Sequence, residues 1–171
     1  MAVQVIINGG FETGSLRPGW RKTPGSASLD GGVTDRVPHT GSQSLELRAM
    51  DYVEQSFAGV RASASGPLTF WTKAASAIEV GPFFVNISYH DGTSDLGVLV
   101  SPTDRWRKIS VPVVKGKRLK RIQFAVGESG SIYVDDVSLA GTRRMELPAA
   151  VASARVRRPT AKRRTTPAAG A

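Results

Sequence analysis

Hydrophobic and polar residues alternate in several short segments of this chain. In residues 44–49 Leu and Ala alternate with Ser, Glu and Arg, and the same period of two recurs over 108–113 and 121–126. Successive side chains of a strand point to opposite faces, so this pattern is typical of half-buried antiparallel strands. No stretch before residue 140 has sustained helical spacing. The pattern predicts nine or ten strands, at about residues 3–7, 26–29, 44–49, 52–57, 68–73, 83–90, 96–100, 106–114, 119–126 and 131–139.

Clusters of turn-forming residues separate these segments, and the chain has 18 Gly and 10 Pro to supply the turns. So many short strands in this length are most simply arranged as two antiparallel sheets packed face to face. We therefore predict an all-β fold, an antiparallel jelly-roll β-sandwich. A domain of this size buries roughly two thirds of its unfolded surface, which is enough to fold alone.

The basic charge of the chain is concentrated at its C-terminus. The 171 residues carry a net charge of +9, but residues 142–171 hold eight of the basic residues and one acidic residue. The other 141 residues hold fifteen basic and thirteen acidic residues, so this part is nearly neutral. We predict a folded domain over residues 1–141 and an irregular, Ala/Arg/Pro/Thr-rich tail over 142–171. The near-neutral domain argues against nucleic-acid binding outside the tail.

The tail has two candidate partners. Its basic residues could neutralise phosphates, but no aromatic residue lies among them to stack on bases. An arm that docks on an acidic protein partner is at least as consistent with the composition. The docking candidates are Arg155, Arg157, Arg158, Lys162, Arg163 and Arg164.

Several other classes are disfavoured by composition. No apolar run approaches the roughly 18 residues of a membrane helix. There is no cysteine, so neither a disulfide framework nor a thiolate metal site is available. The first residues lack the basic start and apolar core of a signal peptide, so we expect a protein that is made in the cytoplasm and used without an export signal.

Five short motifs follow one another between residues 8 and 139. They are NGGFETG at 8–14 with PGW at 18–20, HTGSQSLEL at 39–47, LTFWTK at 68–73, WRKISV at 106–111 and IYVDDVSL at 132–139. In this order they resemble the galactose-binding-like jelly-roll domains of carbohydrate-binding modules, especially those that accompany xylan- and glucan-degrading enzymes. The resemblance implies the fold more strongly than the ligand, because this fold serves many functions.

The resemblance also implies a structural Ca²⁺ ion. Carried onto this chain, its ligands are Glu12, backbone oxygens around Gly41 to Gln43, and Asp135 or Asp136. Calcium takes six to eight oxygen ligands, both carboxylates and carbonyls. Because neighbouring residues of a strand point in opposite directions, we expect Asp135 and Asp136 not to bind together through their side chains. The alternative is that Glu12 caps a turn and the two aspartates end the sheet in solvent.

Polar strand faces that carry aromatic residues are candidate ligand sites. Trp71 is in phase with polar neighbours on its strand, and the next strand alternates Phe84, Asn86 and His90 with apolar residues. If these strands share a sheet, the four side chains line one groove, with Tyr52, Glu54 or Gln55 nearby. Alternatively, a loop or another subunit covers Trp71 and Phe84, and His90 only precedes a turn.

Catalysis is poorly supported by the sequence. A glycosidase needs two carboxylates facing each other across the bond, and the glutamates of the domain are scattered. No nucleophile elbow, phosphate-binding glycine loop or zinc motif is present. We therefore expect no enzyme but a binding module for glycans or a protein surface. The alternative is a structural virion protein, a decoration, fibre or tail component, in which the jelly roll assembles, as a homo-oligomer or on another protein, and the basic tail docks.

Overall fold

The computed structural model describes residues 3–24, 26, 32–58, 60–62, 66–76 and 81–143. These ranges contain strands and no helix, and therefore no helix that could span a membrane. The strands are β1 (Val3–Gln4), β2 (Trp20–Lys22), β3 (Gly32–Thr34), β4 (Ser44–Arg48), β5 (Tyr52–Ser56), β6 (Val60–Ala62), β7 (Leu68–Ala74), β8 (Phe83–Tyr89), β9 (Ser94–Val100), β10 (Arg107–Val111), β11 (Leu119–Val126), β12 (Ser131–Ser138) and β13 (Ala140–Arg143).

Two five-stranded antiparallel sheets form a sandwich. The front sheet has the order β2-β5-β11-β8-β9, and the back sheet has the order β10-β7-β12-β4-β3. In a smaller sheet, β1-β13-β6, the first strand of the domain pairs with its last strand. The predicted all-β, antiparallel jelly-roll sandwich is confirmed.

The core lies between the two large sheets and is rich in aromatic rings. Phe70 of the back sheet meets Phe83 of the front sheet edge to face, with ring centroids 6.0 Å apart. Phe124 lies at the centre, 5.2 Å from Phe70, 5.7 Å from Phe83 and 5.4 Å from Trp20. All four side chains are buried. Strands β7 and β8 alternate strictly between buried and half-buried residues, as their sequence pattern predicted.

Four short strands were absent from the prediction: β2, β3, β6 and β13. Each has three or four residues, too few to establish a period of two. Most of the strand predicted at 26–29 lies outside the described residues. Strand β13 continues to Arg143, two residues beyond the predicted end of the domain at 141. The six docking candidates of the tail also lie outside the described residues.

Candidate functional site

The outward surface of the front sheet, here called the front face, carries its polar side chains in rows across the strands. In the central row, Arg21 of β2 pairs with Glu54 of β5, Glu54 with Gln123 of β11, and Gln123 with Asn86 of β8. Gly97 of β9 follows Asn86. Five strands at about 4.8 Å spacing make this row roughly 19 Å long. The row therefore suits an elongated ligand that lies across the strands.

Hydrogen bonds connect the members of this central row. Asn86 Nδ2 donates to Gln123 Oε1 at 3.2 Å, and Gln123 Nε2 donates to Thr23 Oγ1 at 3.2 Å. Thr23 in turn donates to Glu54 Oε2 at 3.3 Å. Such a network holds the two amides in fixed orientations before any ligand arrives.

Glu54 is the buried anchor of the network. Its Oε1 accepts from Arg21 Nε at 2.9 Å and Nη2 at 2.6 Å, and its Oε2 accepts from Arg121 Nη1 at 3.2 Å. The residue is only 2% exposed, although it belongs to the outward row. The two arginines therefore cover the carboxylate and present their own guanidinium groups to solvent.

A second row, beside the first, is largely apolar. Tyr52 pairs with Ala125, Ala125 with Phe84, and Phe84 with Leu99. Leu99 is 60% exposed, and Tyr52 and Phe84 are half-buried. An amide row beside an apolar row is the combination that binds ligands with both ring faces and hydroxyl groups.

Gly97 leaves open space at the β9 end of the central row. A Cβ atom on Gly97 would lie 2.5 Å from Asn86 Oδ1 and 3.3 Å from the Cβ of Phe84. Any side chain at this position would therefore displace both neighbours. Glycine at this position therefore leaves no side chain protruding beside the Asn86 amide.

The sequence-based hypothesis of a groove shared by Trp71 and Phe84 is wrong. Strand β7 pairs with β10 and β12, whereas β8 pairs with β11 and β9. The preceding residues of the two strands, Phe70 and Phe83, meet inside the core. Because successive side chains alternate, Trp71 and Phe84 point away from each other on opposite sides of the sandwich.

A loop covers Trp71 on the back sheet, as one of the alternatives proposed. The His39 ring stacks on Trp71 with centroids 3.9 Å apart and planes at 20°. Trp106 meets the same imidazole edge-on at 5.3 Å. One face of the Trp71 ring is therefore covered by His39, and Trp71 belongs to a packed cluster with His39 and Trp106.

Two further candidates have their side-chain polar groups bonded to the protein backbone. Gln55 is 1% exposed and uses its amide internally, accepting from Ile7 N and donating to Ile7 O, both at 2.9 Å. His90 follows the last residue of β8, and its Nε2 lies 3.2 Å from Phe57 O. Of the six sequence-derived ligand candidates, the front face brings together Phe84, Asn86 and Tyr52.

Glu12 holds the turn at residues 41–43, in the second of the five motifs, through hydrogen bonds. Its carboxylate accepts hydrogen bonds from Ser42 N, Ser42 Oγ at 2.9 Å and Gln43 N at 3.1 Å. These bonds, led by that from the Ser42 hydroxyl, lower the pKa of Glu12. Gly41 has a φ of +64°, and a Cβ there would collide with the carboxylate. Glycine at this position therefore lets Glu12 approach the turn.

Asp135 and Asp136 both point to the loop at residues 39–40. Asp135 Oδ2 accepts from His39 N at 2.9 Å and Thr40 N at 3.2 Å. Asp136 accepts from His39 Nδ1 and Thr40 Oγ1, both at 2.7 Å. Asp136 has a φ of +49° at an irregularity of β12, which breaks the strand alternation. The expectation that the two carboxylates point apart is therefore wrong.

Asp135 differs from Asp136 in its burial. Asp135 is fully buried, and burial raises its pKa in spite of its three backbone hydrogen bonds. It therefore does not end the sheet in solvent. A Cβ on Gly10 would lie 3.9 Å from an oxygen of each aspartate, so both carboxylates converge on the backbone at this residue. Across the described ranges, no three acidic or histidine side chains converge closely enough to form a metal group by themselves.

Gln123, Thr23, Arg21 and Arg121 were not among the predicted site residues. A signal for two of them was present, because Arg121 and Gln123 form the polar side of an alternating segment. Their role depends on strand order, since β11 lies between β5 and β8. Alternation assigns a residue to a face, but it does not identify the neighbouring strands.

Comparisons with known proteins identify the fold. No family model and no curated protein sequence matches the chain. Among solved structures, TmCBM61, described in complex with β-1,4-galactotriose, is 21% identical with a TM-score of 0.58, over 83% of this chain and 99% of that one. A family 16 carbohydrate-binding module is 16% identical with a TM-score of 0.56, over 79% of this chain and 98% of its own.

A third similar structure belongs to a virus. The enzymatically active domain of bacteriophage CBA120 tailspike protein 4 is 18% identical, with a TM-score of 0.56 over 81% of this chain and 21% of that chain. At such identities the likeness concerns the fold and not the ligand. This chain therefore has the jelly-roll fold of carbohydrate-binding modules.

Proposed function

We propose that the protein is a non-catalytic binding module whose front face binds a glycan. The observation that carries the proposal is the fixed Asn86–Gln123 amide pair beside the apolar row of Tyr52, Phe84 and Leu99. Amides both donate and accept hydrogen bonds, as sugar hydroxyls do. Aromatic and aliphatic side chains pack against the apolar face of a sugar ring.

The orientation of the rows supports an extended ligand. Both rows run across the five strands, so a chain of sugars can contact amides along one side and apolar side chains along the other. The solved structures with the same fold include modules named for carbohydrate binding, one of them described with a bound galactotriose. This likeness of fold agrees with the chemistry of the front face.

The proposal includes no catalytic step. Glu54 is the acidic member of the central row, and both of its oxygens are bonded to arginine. Hydrolysis of a glycosidic bond requires a second carboxylate about 5 to 9.5 Å away, on the other side of that bond. Glu54 is buried under the arginines and serves to position them.

Substituting Asn86→Ala tests the proposed glycan site. We expect a glycan array to identify a ligand, and the variant to bind that ligand at least about tenfold more weakly, because one fixed amide is lost. Isothermal titration calorimetry measures the change. Thr69→Ala, on the outward side of the back sheet, is the matched control and should bind normally. Failure of the unmodified protein to bind any glycan would contradict the proposal, as would equal losses in the two variants.

We also propose that Ca²⁺ binds where Glu12, Asp135 and Asp136 surround the loop at residues 39–43. The convergence of both aspartates near Gly10 supports this site, and so does the hard oxygen chemistry of its donors. Carboxylates alone are too few here, so backbone carbonyls and water would complete the coordination. When bound, the ion would neutralise the carboxylates and stabilise the loop.

Adding Ca²⁺ to protein treated with a chelator tests this site. At about one hundred times the dissociation constant, binding stabilises the fold by roughly 2.7 kcal/mol, which raises the melting temperature by about 5–10 °C. Scanning calorimetry measures the shift, and Mg²⁺ should give a smaller one, because it prefers a smaller octahedral site. The Glu12→Gln variant should lose most of the calcium shift. An unchanged melting temperature at millimolar Ca²⁺ would refute the proposal.

A structural role in a virus particle is the second candidate function. The observation in its favour is the likeness of fold to the tailspike domain, which extends over 81% of this chain. In this role the sandwich would assemble with other proteins, and the basic tail would dock. The front face is compatible with this role, because a module on a particle surface can also bind glycans.

A further inference from the structure

The charged side chains of the front face are unevenly exposed. Glu54 has only 3% of its side chain exposed, whereas the Arg21 and Arg121 side chains are 63% and 38% exposed. A ligand on this face therefore meets the guanidinium groups and almost none of the carboxylate. Two arginines share one carboxylate, so the cluster carries a net positive charge.

A cleft lies beside Arg21, at the β2 end of the central row. It has a volume of about 460 Å³ and is lined by Arg17, Pro18, Gly19, Trp20 and Arg21. Its two charged residues are both arginines. The cleft and the central row share Arg21, so a chain lying along the row reaches the cleft at its β2 end.

This positive surface is not a consequence of overall composition. Residues 1–141 carry fifteen basic and thirteen acidic residues. Three of the basic residues are Arg17, Arg21 and Arg121. In a nearly neutral domain, these three arginines therefore outnumber the one carboxylate, that of Glu54, in the cluster and the cleft.

The two paired arginines are also well suited to anion recognition. Glu54 fixes Arg21 through Nε and Nη2, and it fixes Arg121 through Nη1. The Arg121 Nε has no acceptor among the described residues, but it is buried and therefore out of reach of a ligand. The exposed parts of the two guanidinium groups are the ones that can meet a carboxylate, and a guanidinium that is already held in place loses little side-chain entropy on binding.

We propose that the glycan bound by the front face is acidic, and that Arg17 and Arg21 receive the carboxylate of a uronic acid residue at the β2 end of the row. This inference rests on the proposed glycan function and specifies its ligand class. Arg121 contributes positive charge at the middle of the face, while the Asn86–Gln123 pair contacts hydroxyl groups.

Matched polysaccharide pairs test the inference. Polygalacturonate, glucuronoxylan and alginate are each compared with the same polymer after chemical reduction of its carboxyl groups, which leaves neutral sugars. Neutral β-1,4-galactan and a sulfated glycan complete the set. Affinity electrophoresis at two salt concentrations, followed by calorimetry, measures binding. We expect at least one acidic polymer to bind about tenfold or more tightly than its reduced form.

Substitutions locate the effect on the protein. Arg17→Gln and Arg21→Gln should each remove most of the preference for the acidic polymer. Arg107→Gln, on the exposed edge strand of the back sheet, should retain it. Arg17 makes no bond to Glu54, so Arg17→Gln remains informative if Arg21→Gln fails to fold. Arg21→Lys, which keeps the charge but not the planar group, should lose part of the preference.

The outcomes separate the inference from the proposed function. Equal binding of acidic and reduced polymers overturns the acidic ligand and leaves glycan binding intact. Binding of no polymer, acidic or neutral, overturns the glycan function itself. A preference confined to the sulfated glycan overturns the assignment of a carboxylate, and an equal loss in Arg107→Gln overturns the site.

Discussion

Phe124→Ala is expected to lower the free energy of unfolding by about 3–5 kcal/mol, because it empties the centre of the core. The Phe124 ring contacts Trp20, Phe70 and Phe83, with centroid distances of 5.2 to 5.7 Å. These rings come from both large sheets, so they cannot all move into the cavity without separating the sheets. Urea denaturation measures the change, and the melting temperature should fall by roughly 10 °C or more.

Phe84→Ala is the matched control for this prediction. It is the same truncation on the neighbouring strand of the same sheet, but Phe84 lies on the outward side and is half-buried. A surface site allows solvent to fill the space, so a loss of about 1 kcal/mol is expected. Equal losses for the two variants would contradict the assignment of Phe84 to the front face.

Asp135→Ala is expected to destabilise the fold by about 3 kcal/mol or more, because one carboxylate accepts three backbone hydrogen bonds. The donors are His39 N, Thr40 N and Asp136 N, at 2.9, 3.2 and 2.7 Å. Each buried donor left without an acceptor costs about 1–3 kcal/mol. Burial raises the pKa of Asp135, so the substitution also removes an unfavourable buried charge, but this gain is smaller than the cost of three unpaired donors.

In Asp135→Ala the loop at residues 39–40 should also lose its fixed position over Trp71. Trp71 is covered by His39, and Asp135 fixes His39 through its backbone N–H. Loss of this anchor should therefore expose Trp71 to collisional quenching of its fluorescence. Asp135→Asn, which retains one acceptor oxygen, should cost about half as much. Unchanged stability of Asp135→Ala in urea would show that the loop is held by other contacts.

The sequence was sufficient to predict the type of fold and much of the strand pattern. Strands β7 and β8 were predicted because seven residues are enough to show a period of two. Strands β2 and β13 were missed because they are held by pairing with β5 and with β1 and β6, which no local pattern records. The alternation of polar and apolar residues could therefore predict the sandwich but not its short strands.

The candidate site was only partly predictable for a related reason. Asn86 and Phe84 were assigned to the polar side of β8, and in the structure they lie on the outward side of the front sheet, while their role in binding stays a prediction. Placing Trp71 beside them required β7 and β8 to share a sheet, and contacts between Phe70 and Phe83 across the core show that they do not. The positive φ of Asp136 could not be predicted either, because two successive aspartates do not indicate that conformation.

Binding of glycan by the front face is tested most directly by backbone amide NMR. The isotope-labelled protein is titrated with the soluble oligosaccharide that binds best in the array. If the front face binds the glycan, the largest chemical-shift changes are expected over residues 84–86 and 121–125, and in the side-chain amides of Asn86 and Gln123. Changes centred on Trp71 and the back sheet, with the front face unaffected, would contradict it.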